Sequence, residues 1–497
     1  MAAVALGIDA GTQGVKAVLV EAGGAVRGCA AEEYPIDTPA PGWAEQWPQV
    51  WWDAACRAVR RALAESGLGP SAVAVVGLSG QMHGIVLLDG RGRPIRPAVL
   101  WADSRALEET AELRRRFPEI ERRACNPIMA SFSAPKLLWL ARHEPETWRR
   151  VRCVLLPKDA VRLQMTGEAA TDPSDASGTL LFDLHQGRWM EDVIQALGLD
   201  PGRFPPVRGS GEVAGTLIRE AAEALGLRPG TPVITGGADM PMGALGAGLA
   251  GPATAAVLLG TAGQVLLDVE RPEPRALGRA YYFTHVLPGR YLAMGALLSA
   301  GLSLRWLKQL LDGPSYGELD RLAAAEPPGA RGLLFLPYLA GTGTPHFDAV
   351  ARAALVGMGM EHGRAAVARA VLEGVALGLR ESLETAALAT AGVAEIRAGG
   401  GGARSPLWLQ ILADVLGRRV VPLAFADSSA LGAALLAGAG VGLFPSVEEA
   451  QRACVATGNP VLPEAGAVSH YQEVYEVYRE AYRALEQVYA HLGRMRR

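Results

Sequence analysis

The chain has 497 residues, 49% of them hydrophobic and 20% charged, and a formal net charge of -3. That length exceeds one compact core and points to about two to four domains, and the composition excludes a disordered chain. The charge balance gives no general attraction to nucleic acid or an anionic membrane, so a phosphate-bearing ligand needs a local site.

The opening Met1-Ala-Ala-Val4 runs straight into a strand without a basic, cleavable leader pattern, and a cytoplasmic location is expected. Val4–Asp9 and Val15–Val20 alternate as strands around the glycine turn 10–14, and a third strand is predicted at 25–30. Helical spacing of Val50, Trp51, Ala54, Ala58, Val59 and Ala62 predicts a helix, and the apolar run 72–79 reads as a strand buried on both faces. Residues 255–268 repeat the strand, Gly-Thr-x-Gly, strand pattern of residues 6–19, which suggests two domains of one fold facing a shared cleft. The glycine-rich stretch 243–251 places the boundary between domains 1–246 and 247–497. Ala430–Phe444 reads as a tightly packed helix and turn, too short to span a membrane. Tyr471, Tyr475, Tyr478, Tyr482, Leu485 and Tyr489 form one helical stripe, docked on the second domain or, alternatively, forming a homodimer contact. Cys29, Cys56, Cys125, Cys153 and Cys454 contain no C-x-x-C pair, against a disulfide framework or a zinc site.

Four clusters carry chemistry. In Asp9-Ala-Gly-Thr-Gln-Gly14 the glycines admit an anion to backbone amides, Thr12 can donate to phosphate, and Asp9 can bind Mg2+. A purely structural hairpin is the competing reading; no Gly-Lys-Ser/Thr follows, so this is not a Walker loop. Asp239, after Gly236-Gly-Ala and a buried strand at 231–235, suits a general base for a hydroxyl nucleophile or a helix N-cap. Gly399-Gly-Gly-Gly402, followed by Ser405 as N-cap and Pro406, forms an open amide-lined bend for adenine or phosphate, or else a flexible loop. Gln81, Met82 and His83, with Trp101, Asp103 and Arg105, offer the amide, imidazole, carboxylate, guanidinium and indole groups that bind a polyol, although a lone histidine is more often structural.

In this order the clusters resemble the FGGY carbohydrate kinases, and among them those acting on xylulose. The resemblance also rests on Ser131-Phe-Ser-Ala-Pro-Lys through His143, on Ala353-Ala-Leu-Val-Gly-Met358, on 366–373, and on Leu156-Pro-Lys-Asp159 through Thr171-Asp-Pro-Ser-Asp-Ala-Ser-Gly-Thr179. It implies two actin-like (ribonuclease H-like) α/β domains with an interdomain cleft, and transfer of the ATP γ-phosphoryl group to the terminal hydroxyl of D-xylulose. By matching position it makes Asp239 the base and Gln81, Met82, His83, Trp101, Asp103 and Arg105 sugar-pocket residues. Asp9 and Asp239 would face Mg2+; Gly11, Thr12, Gln13, Gly260 and Thr261 would hold phosphates; Gly401, Gly402 and Ser405 would line the adenine site. Ala366 stands where a polar residue is usual; Met240 stands where the family usually carries an Asn that contacts sugar hydroxyls, which opens the choice of sugar to another ketose or polyol. A non-catalytic sugar- and nucleotide-binding regulator, or an actin-like ATPase, are the readings from other classes.

Overall fold

Alternating β-branched residues build the first sheet from the N-terminus. The computed structural model describes residues 3–249, 251–389 and 392–495. Strand β1 (Val4–Ala10) pairs antiparallel with β2 (Gly14–Glu21), and β2 with β3 (Val26–Glu33). Helix α1 (Pro48–Ser66) starts on Pro48, ends at left-handed Gly67, and buries Trp51, Ala54, Ala58, Val59 and Ala62 in the core beneath these strands. Strand β4 (Val73–Gly80) lies parallel to β1, as its continuous apolar run requires. Helices α2 (Pro157–Thr166) and α3 (Pro173–Ser177) precede β5 (Val213–Thr216), β6 (Pro232–Ile234) and β7 (Gly237–Ala238), and α4 (Asp239–Gly246) follows directly. The sheet order is β5-β6-β4-β1-β2-β3, with β7 also pairing with β4.

The chain divides into two units, and the first holds Met1–Ala250 together with Tyr282–Leu292 and Asp427–Val455. The inclusion of Asp427–Val455, which the boundary at 246 does not anticipate, has a packing cause. The helix Ser428–Gly440 lies flat on β1 and β4 because Gly7 and Gly77 face it: a Cβ at either would stand 2.0 Å from the carbonyl oxygen of Ala430 or Ala433. Only bare backbone admits such an approach.

In the second unit, β8 (Thr254–Leu259) and β9 (Gly263–Val269) form an antiparallel hairpin. After α5 (Gly301–Leu310) and α6 (Arg364–Ala386), β10 (Glu395–Gly399) pairs parallel with β8; α7 (Pro406–Leu416) then leads to β11 (Arg419–Pro422), parallel to β10. The arrangement β9-β8-β10 repeats β2-β1-β4, so the repeat seen in the sequence is a repeat of topology. The helix Ala465–Met495 buries Tyr471, Tyr475, Tyr478, Tyr482 and Tyr489 within this unit. Tyr471 donates to Glu373 of α6 at 2.6 Å and the Tyr478 and Tyr338 hydroxyls meet at 2.9 Å. The stripe is therefore spent on its own chain, which corrects the dimer alternative for this face. Among the described residues no helix is long and apolar enough to cross a membrane.

Helix α4 meets the helix Ser428–Gly440 through two further glycines. A Cβ at Gly246 would lie 1.8 Å from the Ser428 carbonyl oxygen, and one at Gly432 would lie 2.0 Å from that of Met242. Gly432→Ala must separate the helices, and a loss of about 1–3 kcal/mol in unfolding free energy is expected. Chemical denaturation measures that loss, and turnover should fall with it because α4 begins at Asp239.

Candidate active site

Three parallel strands end together. Asp9 of β1 is in register with Ser79 of β4, and Ser79 with Gly237 of β7; the next row is Ala10, Gly80 and Ala238. Asp239 follows immediately on β7, and Gln81 on β4. Strand carboxyl ends in a parallel sheet are where α/β proteins build sites. Ser79 donates to Asp9 at 2.8 Å, and Lys16, paired across the hairpin with Asp9, makes an ion pair of 2.5 Å with Asp427.

The carboxyl of Asp239 is pushed up to about 8, first by burial and then by the negative charge of Asp9, against a 2.8 Å hydrogen bond donated by the Met240 amide. Burial also raises Asp9, opposed by the Ser79 hydrogen bond and by Lys16. Asp239 is the first residue of α4 and not its cap, because Ala238 occupies the N-cap position. Its backbone carbonyl accepts from Ser429 at 3.0 Å.

The hairpin tip beside Asp9 is held from below. Tyr34 donates to the Gly11 carbonyl at 2.6 Å, Gln46 to that of Thr12 at 2.9 Å, and Gln81 to that of Gly11 at 3.4 Å. With their carbonyls engaged, the Thr12 and Gln13 amides have no partner among the described residues. The Trp101 indole donates to the Thr12 hydroxyl at 2.8 Å, so this exposed ring sits over the same tip.

The structure divides the residues read as sugar contacts. Gln81 is fully buried and supports the hairpin. Asp103 and Arg105 are spent on each other at 2.7 Å, and Arg105 also pairs with Glu45 at 2.6 Å and lies 3.6 Å from the Trp43 ring centroid. Asp103 further accepts the Ala44 amide at 2.7 Å, so this pair shapes the loop that carries Trp101. Met82 is buried. His83 has a left-handed backbone (φ 63°), and its Nδ1 lies 2.6 Å from the Gly178 carbonyl oxygen. Burial holds the imidazole down at about 3, so it is neutral; facing a carbonyl, Nδ1 carries the proton and Nε2 is left as an acceptor.

Lys136 lies outside the four clusters. Its buried ammonium donates to the carbonyls of His83, Leu100 and Ser131 at 3.0, 2.9 and 2.7 Å, fastening three loops to one point. Burial pushes it down to about 7. Its position within the quoted 131–143 segment is the only signal the sequence carries.

In the second unit a cavity of about 570 Å³ brings Gly260 and Thr261 together with Gly401, Gly402 and Ser405. Ser405 caps α7 by accepting the Trp408 amide at 3.0 Å, and the Trp408 ring also lines the cavity. The volume suits a nucleotide-sized ligand. Arg305, Tyr316 and Asp320 also line the cavity and carry no motif that marks them in the sequence.

This geometry accords with what the chain is similar to. Residues 4–246 match the N-terminal domain, and residues 255–441 the C-terminal domain, of the FGGY family of carbohydrate kinases. The chain is 35% identical to the xylulose kinase of Bacillus subtilis (strain 168) over 96% of both chains. It is 37% identical to that of Escherichia coli (strain K12), covering 97% of this chain and 99% of the other. The crystal structure of xylulose kinase from Rhodospirillum rubrum superposes with a TM-score of 0.90 at 32% identity, covering 98% of this chain and 100% of that one. The chain belongs to the FGGY family of carbohydrate kinases, ATP-dependent phosphotransferases with a two-domain α/β fold.

A carboxyl raised from 3.8 to about 8 binds its proton more tightly in the folded than in the unfolded chain. Its contribution to stability is full below the ordinary value, falls as pH rises, and is lost above about 8. The nucleotide-free Asp239→Asn variant cannot ionise there. Its thermal midpoint should exceed that of the wild type by a margin that grows from pH 5 to pH 8 and then levels off. Parallel midpoints across that range, measured in a chelating buffer, would show the carboxyl to be unperturbed.

Proposed function

We propose that this protein transfers the γ-phosphoryl group of ATP to the terminal hydroxyl of D-xylulose, giving the 5-phosphate. The observation that carries the reading is Asp239: a desolvated carboxyl beside Asp9, at the aligned ends of three parallel strands. Similarity to the xylulose kinases of Bacillus subtilis and Escherichia coli over nearly the whole chain supports the choice of sugar.

In the reaction a bond forms between the sugar oxygen and the γ-phosphorus, and the bond from that phosphorus to the β–γ bridging oxygen breaks. Asp239 accepts the hydroxyl proton as the transfer proceeds. Phosphoryl transfer has a loose transition state, so most of the acceleration comes from positioning and from neutralising charge. The free amides of Thr12 and Gln13 and the Thr12 hydroxyl are placed to bind phosphate oxygens. His83 Nε2 can accept a sugar hydroxyl, and the exposed Trp101 ring offers an apolar face to a sugar. The cavity around Gly401, Gly402 and Trp408 would hold the nucleoside.

Two carboxylates raised by burial are a fitting donor set for Mg2+, which takes one or two carboxylates and completes its shell with water and phosphate oxygens. Asp9 and Asp239 would hold it, and when bound it supplies positive charge to the phosphates.

The closing experiment is an ADP-release assay over ketoses, polyols and aldonates. D-xylulose should give the highest kcat/KM; if it is no better than the others, Met240 has moved the preference to another sugar. Asp239→Asn should keep xylulose binding by calorimetry and lose at least about 10²-fold in turnover, the scale of general-base catalysis. Turnover near that of the wild type would remove Asp239 from the base role.

A further inference from the structure

The segment 156–179, singled out in the sequence, contributes no group to the reaction described above. It is nevertheless the most highly charged part of the first unit's interior. Lys158, Asp159, Arg162, Asp172 and Asp175 are all fully buried. The Lys158 ammonium lies 2.6 Å from Asp159, 2.9 Å from Asp172 and 3.1 Å from Asp175. Burial raises Asp175 well above the ordinary carboxyl value, against the opposing pull of the Lys158 ammonium. Such a cluster is a poor source of stability, because desolvation offsets most of the Coulombic gain. What it fixes is position.

Asp172 caps the short helix α3, accepting the Ser174 amide at 2.9 Å, and also accepts the Ser174 and Ser210 hydroxyls at 2.5 and 2.8 Å. The Ser174 hydroxyl is thereby oriented: it donates to Asp172 and presents its lone pair to the Ala238 amide, which donates to it at 2.9 Å. Ala238 is the residue immediately before Asp239. At the other end of α3, the Gly178 carbonyl accepts from His83 Nδ1 at 2.6 Å. A Cβ at Gly178 would sit 3.0 Å from that nitrogen, so the imidazole rests directly against this backbone.

We propose that α3, anchored through Asp172 to Lys158, is a brace that positions the base and the sugar-facing histidine together, Ser174 holding the Ala238–Asp239 backbone and Gly178 holding His83. Ser174, Asp172 and Lys158 are positioning residues: they act through Asp239 and His83. The proposal rests on the reading of Asp239 as the base.

Ser210 supplies the control, since its buried hydroxyl donates to the same Asp172 oxygen but makes no hydrogen bond with Ala238 or His83 among the described residues. Ser174→Ala and Ser210→Ala each remove one buried hydroxyl from Asp172. Ser174→Ala should lower kcat by about 10-fold or more, with the KM for xylulose and for ATP within about 2-fold of wild type, the pattern of a displaced catalytic group. Ser210→Ala should leave kcat within about 2-fold of wild type. Gly178→Ala should act at the other end, raising the KM for xylulose by about 10-fold while the KM for ATP is unchanged. Equal kcat in the two serine variants would overturn the brace, as would a Gly178→Ala enzyme with wild-type xylulose KM. Should Ser174→Ala fail to fold, the Gly178→Ala result still decides. Failure of the underlying reading looks different: there, Asp239→Asn itself would keep its turnover.

Discussion

Two partly buried carboxyls close enough to feel each other's charge set the terms for this protein. Asp9 and Asp239 each resist ionisation because each is desolvated, and Asp239 further resists because Asp9 is near. Keeping two such groups close together is electrostatically unfavourable. The surrounding structure serves to hold that unfavourable pair in place: parallel register fixes the height of both residues, Ser79 and Lys16 restrain Asp9, and α4 restrains Asp239.

Holding the pair requires backbones closer together than side chains ordinarily allow. Gly7, Gly77, Gly246 and Gly432 all face the helix Ser428–Gly440 or belong to it, and at each of them a Cβ would meet a backbone oxygen within 2.0 Å. The alanine and glycine richness of 430–440 follows from this. The run is short of membrane character because it is built to lie flat on strands, with every residue of Ala430–Gly438 buried.

The fold was largely legible in the sequence because its signals are local. The strand, Gly-Thr-x-Gly, strand grammar is written within fourteen residues in each half, and Ser405-Pro406 announces α7 outright. Asp239 was legible as a candidate for the same reason, standing between a buried strand and a helix. The internal contacts of Gln81, Asp103 and Arg105 were not. Polar residues in a loop look alike whether they face a ligand or each other, and only the structure shows their contacts with Gly11, Trp43 and Glu45. Some partners of Lys158 and Lys136 lie far off in sequence, Asp172 fourteen residues away in one case and His83 fifty-three in the other, so periodicity has no purchase on them.

The excursion of Asp427–Val455 into the first unit bears on how the chain is made. The faces of β1 and β4 that carry Gly7 and Gly77 stay uncovered until the helix Ser428–Gly440 arrives. During synthesis the ribosome has then already released more than four hundred residues. The amino-terminal half cannot complete its core as it emerges, in contrast to chains whose domains fold one after another. A nascent chain halted in the second unit would expose a flat, glycine-notched apolar sheet, the kind of surface that chaperones retain.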